Sequence, residues 1–160
     1  MNRKFLKILP SKKASVIGII GSALIIISLI ILIDENVNEY STDIKSFLLS
    51  IMLFCLPISA ISVTHIVFCS KALKGRKHGL PIPVMTGLFA IFWLYGTIQG
   101  VITEIQFYIE NPILYLDTMD TSYSTQIFML AGGVLVAVNV ALFFIKYNKE
   151  KKITDKARKG

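Results

Sequence analysis

The chain contains four stretches without Asp, Glu, Lys or Arg, residues 14–33, 46–70, 79–103 and 121–145, which are 20, 25, 25 and 25 residues long. At about 1.5 Å per helical residue, each is long enough to cross roughly 30 Å of hydrocarbon. The remaining segments of 13, 12, 8, 17 and 15 residues are too short to bury a core of their own. With 54% apolar residues and a mean hydropathy of +0.65, the chain is too apolar to cover itself with polar groups as a water-soluble domain must. The sequence therefore predicts one all-α domain over residues 1–160, an integral membrane bundle of four transmembrane helices.

Charge sets the expected orientation. If the chain is threaded through the membrane four times, 16 of its 17 Lys and Arg fall on one side, in residues 1–13, in the turn 71–78 and in the basic tail 146–160. Eight of the ten acids, Asp34, Glu35, Glu39, Asp43, Glu104, Glu110, Asp117 and Asp120, fall on the other side, in loops 34–45 and 104–120. Short loops rich in Lys and Arg stay in the cytoplasm, so both termini are expected there and the two acidic loops outside. A basic inner face beside anionic lipid accounts for the pI near 9.5 without nucleic acid. The first apolar stretch is longer than a cleaved signal's core, and no small-x-small site precedes Asp34, so helix 1 is expected to be retained. Fourteen Lys against three Arg, with 25 Ile, fit an AT-rich genome and a bacterial cytoplasmic membrane.

Polar and small residues within the spans indicate how the helices meet. Gly18, Gly21, Ser22 and Ser28 share a side of helix 1, and Pro10 with Ser11 suits its start. In helix 2, Cys55, Ser59, Ser62, His65 and Cys69 fall within an arc of about 120° that should face protein, and Pro57 predicts a kink. Cys55 and Cys69 are 14 residues apart on one helix, about 21 Å, too far to pair; Cys69 at the inner edge is also a candidate for lipidation. Gly96 and Gly100 form a G-x-x-x-G in helix 3 with Gln99 beside it, and helix 4 carries Gly133, Ala137 and a single interior polar residue, Asn139. Gly96, Gly100, Gly133 and Ala137 are expected to face neighbouring helices, with Gln99 and Asn139 turned inward as hydrogen-bond partners. Gly96 and Gly100 also suit a dimer face.

Sites for chemistry are sparse. The spans hold no paired carboxylates, no H-E-x-x-H, no G-x-S-x-G and no glycine-rich phosphate loop, so neither an enzyme nor a cofactor or metal is expected. Ser59, Ser62 and His65 form the one polar stripe with a functional alternative, a proton or substrate contact. The outer loop 104–120 carries Phe107, Tyr108 and Tyr115 among acids, which suits either a cap on the bundle or a surface that binds another membrane protein. The expectation is a non-enzymatic accessory, regulatory or protective (immunity-like) protein of the plasma membrane. A small transporter or pore, with homo-oligomerisation through helix 3 as one form of it, is the first alternative, and a lipid-modifying enzyme the second. Cysteines introduced after residues 40 and 112 should label from outside the cell, and those after 75 and 155 only once the membrane is permeabilised. Labelling of positions 40 and 75 from one side would defeat the threading.

Overall fold

The computed structural model describes residues 6–39, 45, 48–49, 51–110 and 122–157. Helix α1 spans Lys12–Glu39, α2 Leu56–Leu73, α3 Pro81–Glu110 and α4 Ser122–Ala157, and no strand is present among the described residues. Four helical segments are long and apolar enough to cross a membrane: Lys12–Asp34, Ile51–Leu73, Pro81–Phe107 and Thr125–Ala157. The fold is thus the expected all-α bundle of membrane-spanning helices.

Local chemistry explains the helix ends. The Ser11 hydroxyl accepts the Ala14 amide at 3.1 Å, capping α1, and the Ser15 hydroxyl donates to the Ser11 carbonyl. Pro57 opens α2 at a position where its missing amide hydrogen is no loss. A five-residue π-helical turn, Ile51–Cys55, lies immediately upstream of it. At the other end of α2, Gly75 takes φ 79° and the chain closes a Schellman motif, with Gly75 N–H on the Ala72 carbonyl and Arg76 N–H on that of Lys71. Pro81 and Pro83 then open α3.

The helices run further than the charge-free stretches. Residues 34–39 continue α1, 104–110 continue α3, and 146–157 continue α4, so parts of the expected loops and tail are helical turns. Helix α4, with 36 residues, is about 54 Å long and extends well past the hydrocarbon into the basic tail. Water beyond the bilayer tolerates charged side chains on a helix, so composition marks the membrane boundary and not the helix end.

Helix α1 packs mainly on α4 and then on α2, while α3 packs on α4 and barely touches α2. The glycines show why. A methyl group on Gly21 would lie 2.8 Å from Leu135 Cβ and 2.9 Å from the Val136 nitrogen, and one on Gly132 would lie 2.9 Å from the Gly21 carbonyl oxygen. The two backbones therefore touch, which only glycine allows. Gly133 admits the side chains of Trp93 and Leu94 of α3 in the same way, and Ala137 is half-buried against the core. Gly96 and Gly100 depart from expectation: a methyl group at either meets nothing within 4 Å, so these residues contact no other helix among those described.

Residues 6–10 are held against the same end of the bundle as the α2–α3 turn. Ile8 N–H donates to the His78 carbonyl at 2.9 Å and His78 N–H to that of Ile8 at 2.7 Å. Ile8 is buried with Phe68, Cys69 and Phe143, and the Phe68 ring lies 4.5 Å from the His78 imidazole and 5.9 Å from Phe143. Burial, then the neighbouring cations Lys71 and Arg76, hold the His78 imidazole below its ordinary pKa. Cys69 is fully enclosed here, which removes it as a lipidation site.

Gly132→Ala should lower the unfolding free energy of the detergent-solubilised monomer by roughly 1–3 kcal/mol, since the added methyl has only backbone and core to displace. Gly96→Ala should leave the melting temperature unchanged or raise it, because the site is open and alanine is the better helix former. Equal sensitivity of the two in a thermal melt would contradict this packing.

Candidate functional site

The bundle holds a sealed polar layer and, on its side, a groove. The layer begins with Asn139 of α4, whose amide nitrogen donates to the Ala14 carbonyl of α1. The same amide presents its oxygen to His65 Nε2 of α2 at 3.0 Å. Because an amide oxygen only accepts, Nε2 must carry the ring proton, and Nδ1 is left to accept the Ser22 hydroxyl of α1 at 2.8 Å. A neutral imidazole thus satisfies every bond in the chain of contacts. Gly18 makes room for it, since a methyl group there would meet Asn139 Cγ at 2.8 Å and Cys69 Sγ at 2.7 Å.

Hydroxyl, imidazole and amide stand in the order of a nucleophile, its base and an orienting group. Burial argues against that role. Ser22 and His65 are 1% exposed and Asn139 2%, and apolar side chains close the layer on both sides, Ile25, Leu29 and Val136 toward one end and Phe68 and Phe143 toward the other. No substrate reaches Ser22 without separating α1 from α2 and α4, so the geometry serves helix packing. Of the predicted stripe, Ser62 and His65 are buried and Ser59 is half-buried. The Ser62 hydroxyl has no hydrogen-bond partner among the described residues.

Asn139 faces inward, but its partner is His65 and not Gln99. Gln99 is exposed on α3. Depth accounts for this: Asn139 lies six residues from the 145 end of its apolar stretch, about 9 Å, while Gln99 lies 20 residues from the 79 end of its own, about 30 Å from the same face. His65, five residues inside position 70, is at the depth of Asn139. That count was available from sequence and identifies the pair.

The groove lies in the half of the bundle away from the chain termini, between α2 and α3, and encloses about 490 Å³. Phe54 and Ile58 form one wall, and Phe92, Gly96 and Gly100 the other, over a floor of Leu29 and Met129. Its depth comes from the two glycines, which present no side chain. The polar groups nearby are partly committed: Trp93 Nε1–H donates to the Met129 carbonyl at 3.0 Å and Thr97 Oγ1–H to that of Trp93 at 2.8 Å. The groove opens sideways, toward lipid.

At the same end, α3 carries Phe107, 50% exposed, and Ile109, 74% exposed, in turns bounded by Glu104 and Glu110. Tyr108 lies on the α3 backbone between them, and Tyr115 lies outside the described residues. No group of three or more His, Cys, Asp or Glu is placed to hold a metal among the described residues. Compared with protein-family models, curated proteins and solved structures, the chain matches none.

His65→Leu should destabilise the solubilised protein by about 1–3 kcal/mol, since two hydrogen bonds worth roughly 0.6–1.7 kcal/mol each in a membrane interior are lost. Ser22→Ala should cost less, because it removes only one. A melting temperature unmoved by His65→Leu would show that the layer does not hold the helices.

Proposed function

We propose that the protein is a non-enzymatic accessory or protective protein of the plasma membrane, with both termini cytoplasmic, that binds another membrane protein or an incoming membrane-active agent at its outer end. The observation that carries this reading is the apolar end of α3, where Ile105 and Ile109 are 49% and 74% exposed near Glu104 and Glu110. Large apolar side chains on a helix end within an acidic rim suit a partner that brings its own apolar surface and basic charge.

The sealed polar layer supports binding over transport. The charge-free stretches hold no Asp, Glu, Lys or Arg, and both ring nitrogens of His65 are committed to Ser22 and Asn139. Coupled transport needs an ionisable group that alternates between two accessible sides, and a buried, fully paired imidazole is poorly suited to this. Basic clusters at the opposite end suit anionic lipid of the cytoplasmic leaflet, which would hold the bundle in register.

Affinity purification from the native membrane in mild detergent should recover a partner. The double change Phe107→Ala and Ile109→Ala should reduce its recovery at least tenfold while leaving the melting temperature unchanged. Recovery unaffected by that change would refute the distal site. Solute flux in reconstituted vesicles that His65→Ala abolishes would favour the transporter.

A further inference from the structure

We propose that residues 6–10 form a strap across the end of the bundle that bears the termini, and that protonation of the His78 imidazole releases it. The device lies at the opposite end from the distal binding site and does not rest on it.

The strap is built by alternation. Ile8 and Pro10 are buried, Leu6 packs on the same cluster as Ile8, and Lys7 between them is exposed, the period of an extended segment with one face on the protein. Among the described residues its main chain is held by two hydrogen bonds, both to His78. Beneath it, Ile8, Phe68, Cys69 and Phe143 form one buried cluster, and Cys69 Sγ lies 3.6 Å from His65 Nε2. The strap thus completes the apolar plug that separates the polar layer from water at this end.

The residue that holds the strap also titrates. The His78 ring packs on Phe68 at 4.5 Å, and its Nε2 is buried without a hydrogen-bond partner among the described residues. A neutral imidazole can leave that nitrogen bare, whereas an imidazolium carries a proton on both nitrogens and needs an acceptor for each. Phe68 supplies none.

The surroundings add cations and little to offset them. The strap carries Lys7, the start of α1 Lys12 and Lys13, and the end of α2 Lys71; Lys74, Arg76 and Lys77 follow in the turn. Helix α3 has no titratable residue before Tyr95. Tyr147 of α4 packs on the cluster, and Glu150, the first acid of that helix, is tied to Lys146 at 3.9 Å. Asp155 lies eight residues beyond Tyr147, about 12 Å along the helix.

The direction of the effect follows. Burial, then Lys71 and Arg76, hold the strapped ring below its ordinary value near 6.5, to which release returns it. The strapped ring therefore binds a proton more weakly than the released one. The strap is held fully above the ordinary value and loses its hold as pH falls below it. Each pH unit raises the ratio of released to strapped chains by up to about tenfold, until the strapped ring itself titrates.

Cys69 reports release, because it is fully enclosed while the strap is in place. The full chain carrying Cys55→Ala, in phosphatidylcholine nanodiscs, keeps Cys69 as its one thiol. Its rate of alkylation by iodoacetamide, a neutral reagent, is divided at each pH by the rate for the same chain carrying His78→Gln, which cancels the reagent's own pH dependence. The ratio should be level from pH 8 to 7 and rise by up to about tenfold per unit below the ordinary value. Lys71→Gln with Arg76→Gln, both at exposed positions, should shrink the rise, since a strapped ring relieved of two cations takes a proton more readily. Ile8→Ala should speed alkylation at neutral pH by roughly threefold or more, because it removes apolar contact that holds the strap. A ratio that stays level down to pH 5 would overturn the proposal, as would a larger rise once the two cations are removed. Alkylation indifferent to Ile8→Ala would overturn it equally, by showing that Cys69 is reached by another route. None of these outcomes bears on recovery of a partner at the distal site.

Discussion

The bundle depends on the contact between the backbones of α1 and α4 at Gly21 and Gly132. Apolar side chains gain little by leaving lipid for one another, so helices in a bilayer are held by close van der Waals fit and by hydrogen bonds between them. Main-chain contact supplies the first and permits the second. With α1 and α4 this close, Asn139 reaches the Ala14 carbonyl, and the same amide oxygen meets His65 of α2. One side chain thereby ties three helices. Helix α3 lies outside this arrangement and is held by a different fit, Trp93 and Leu94 over Gly133.

The four spans were legible because two simple constraints act on them, bilayer thickness and the cost of an unpaired charge in hydrocarbon. Neither constraint reaches past the headgroups. Helix continuation over residues 34–39, 104–110 and 146–157 was therefore hidden behind charged composition. The inward faces of α1 and α2 were legible as well, since small and polar residues at helical spacing mark the side that meets protein: Gly21, Ser22, Ser62 and His65 are all buried. The pairing of Ile8 with His78 was not legible, because a two-residue main-chain bridge has no side-chain signature and depends on α1 and α2 ending at one level.

The pairing of Asn139 with Gln99 failed for a more instructive reason. Both residues are amides in apolar helices, and matching them by chemistry alone ignored that they sit at opposite depths. The membrane supplies a coordinate that a water-soluble core lacks: residues partner only where their distances from the same face agree. Applied to His65, Asn139 and Ser22, which lie five, six and eight residues from the ends of their apolar stretches on the side of the termini, the rule recovers the layer. Applied to Gln99, four residues from the far end of its stretch, it puts Gln126 of α4, five residues from the far end of its own, at the same depth.

The two ends of the bundle differ in how firmly they are tied. At the end bearing the termini, the Schellman turn at Gly75, the Ile8–His78 bridge and the cluster of Phe68, Phe143 and Tyr147 join the N-terminal segment, α2 and α4. At the far end, α2 begins in a π-helical turn, α3 diverges from it, and a groove remains between them. A π-turn carries wider hydrogen-bond loops than an α-helix and is a common place for a helix to adjust. The segment that forms one wall of the groove, with Phe54 on it, is this π-helical turn. The half that bears the termini is thus the more firmly joined of the two. The sealed layer of Ser22, His65 and Asn139 lies between the two halves, and because its hydrogen bonds join α1, α2 and α4 it ties those three helices at the level where the groove ends.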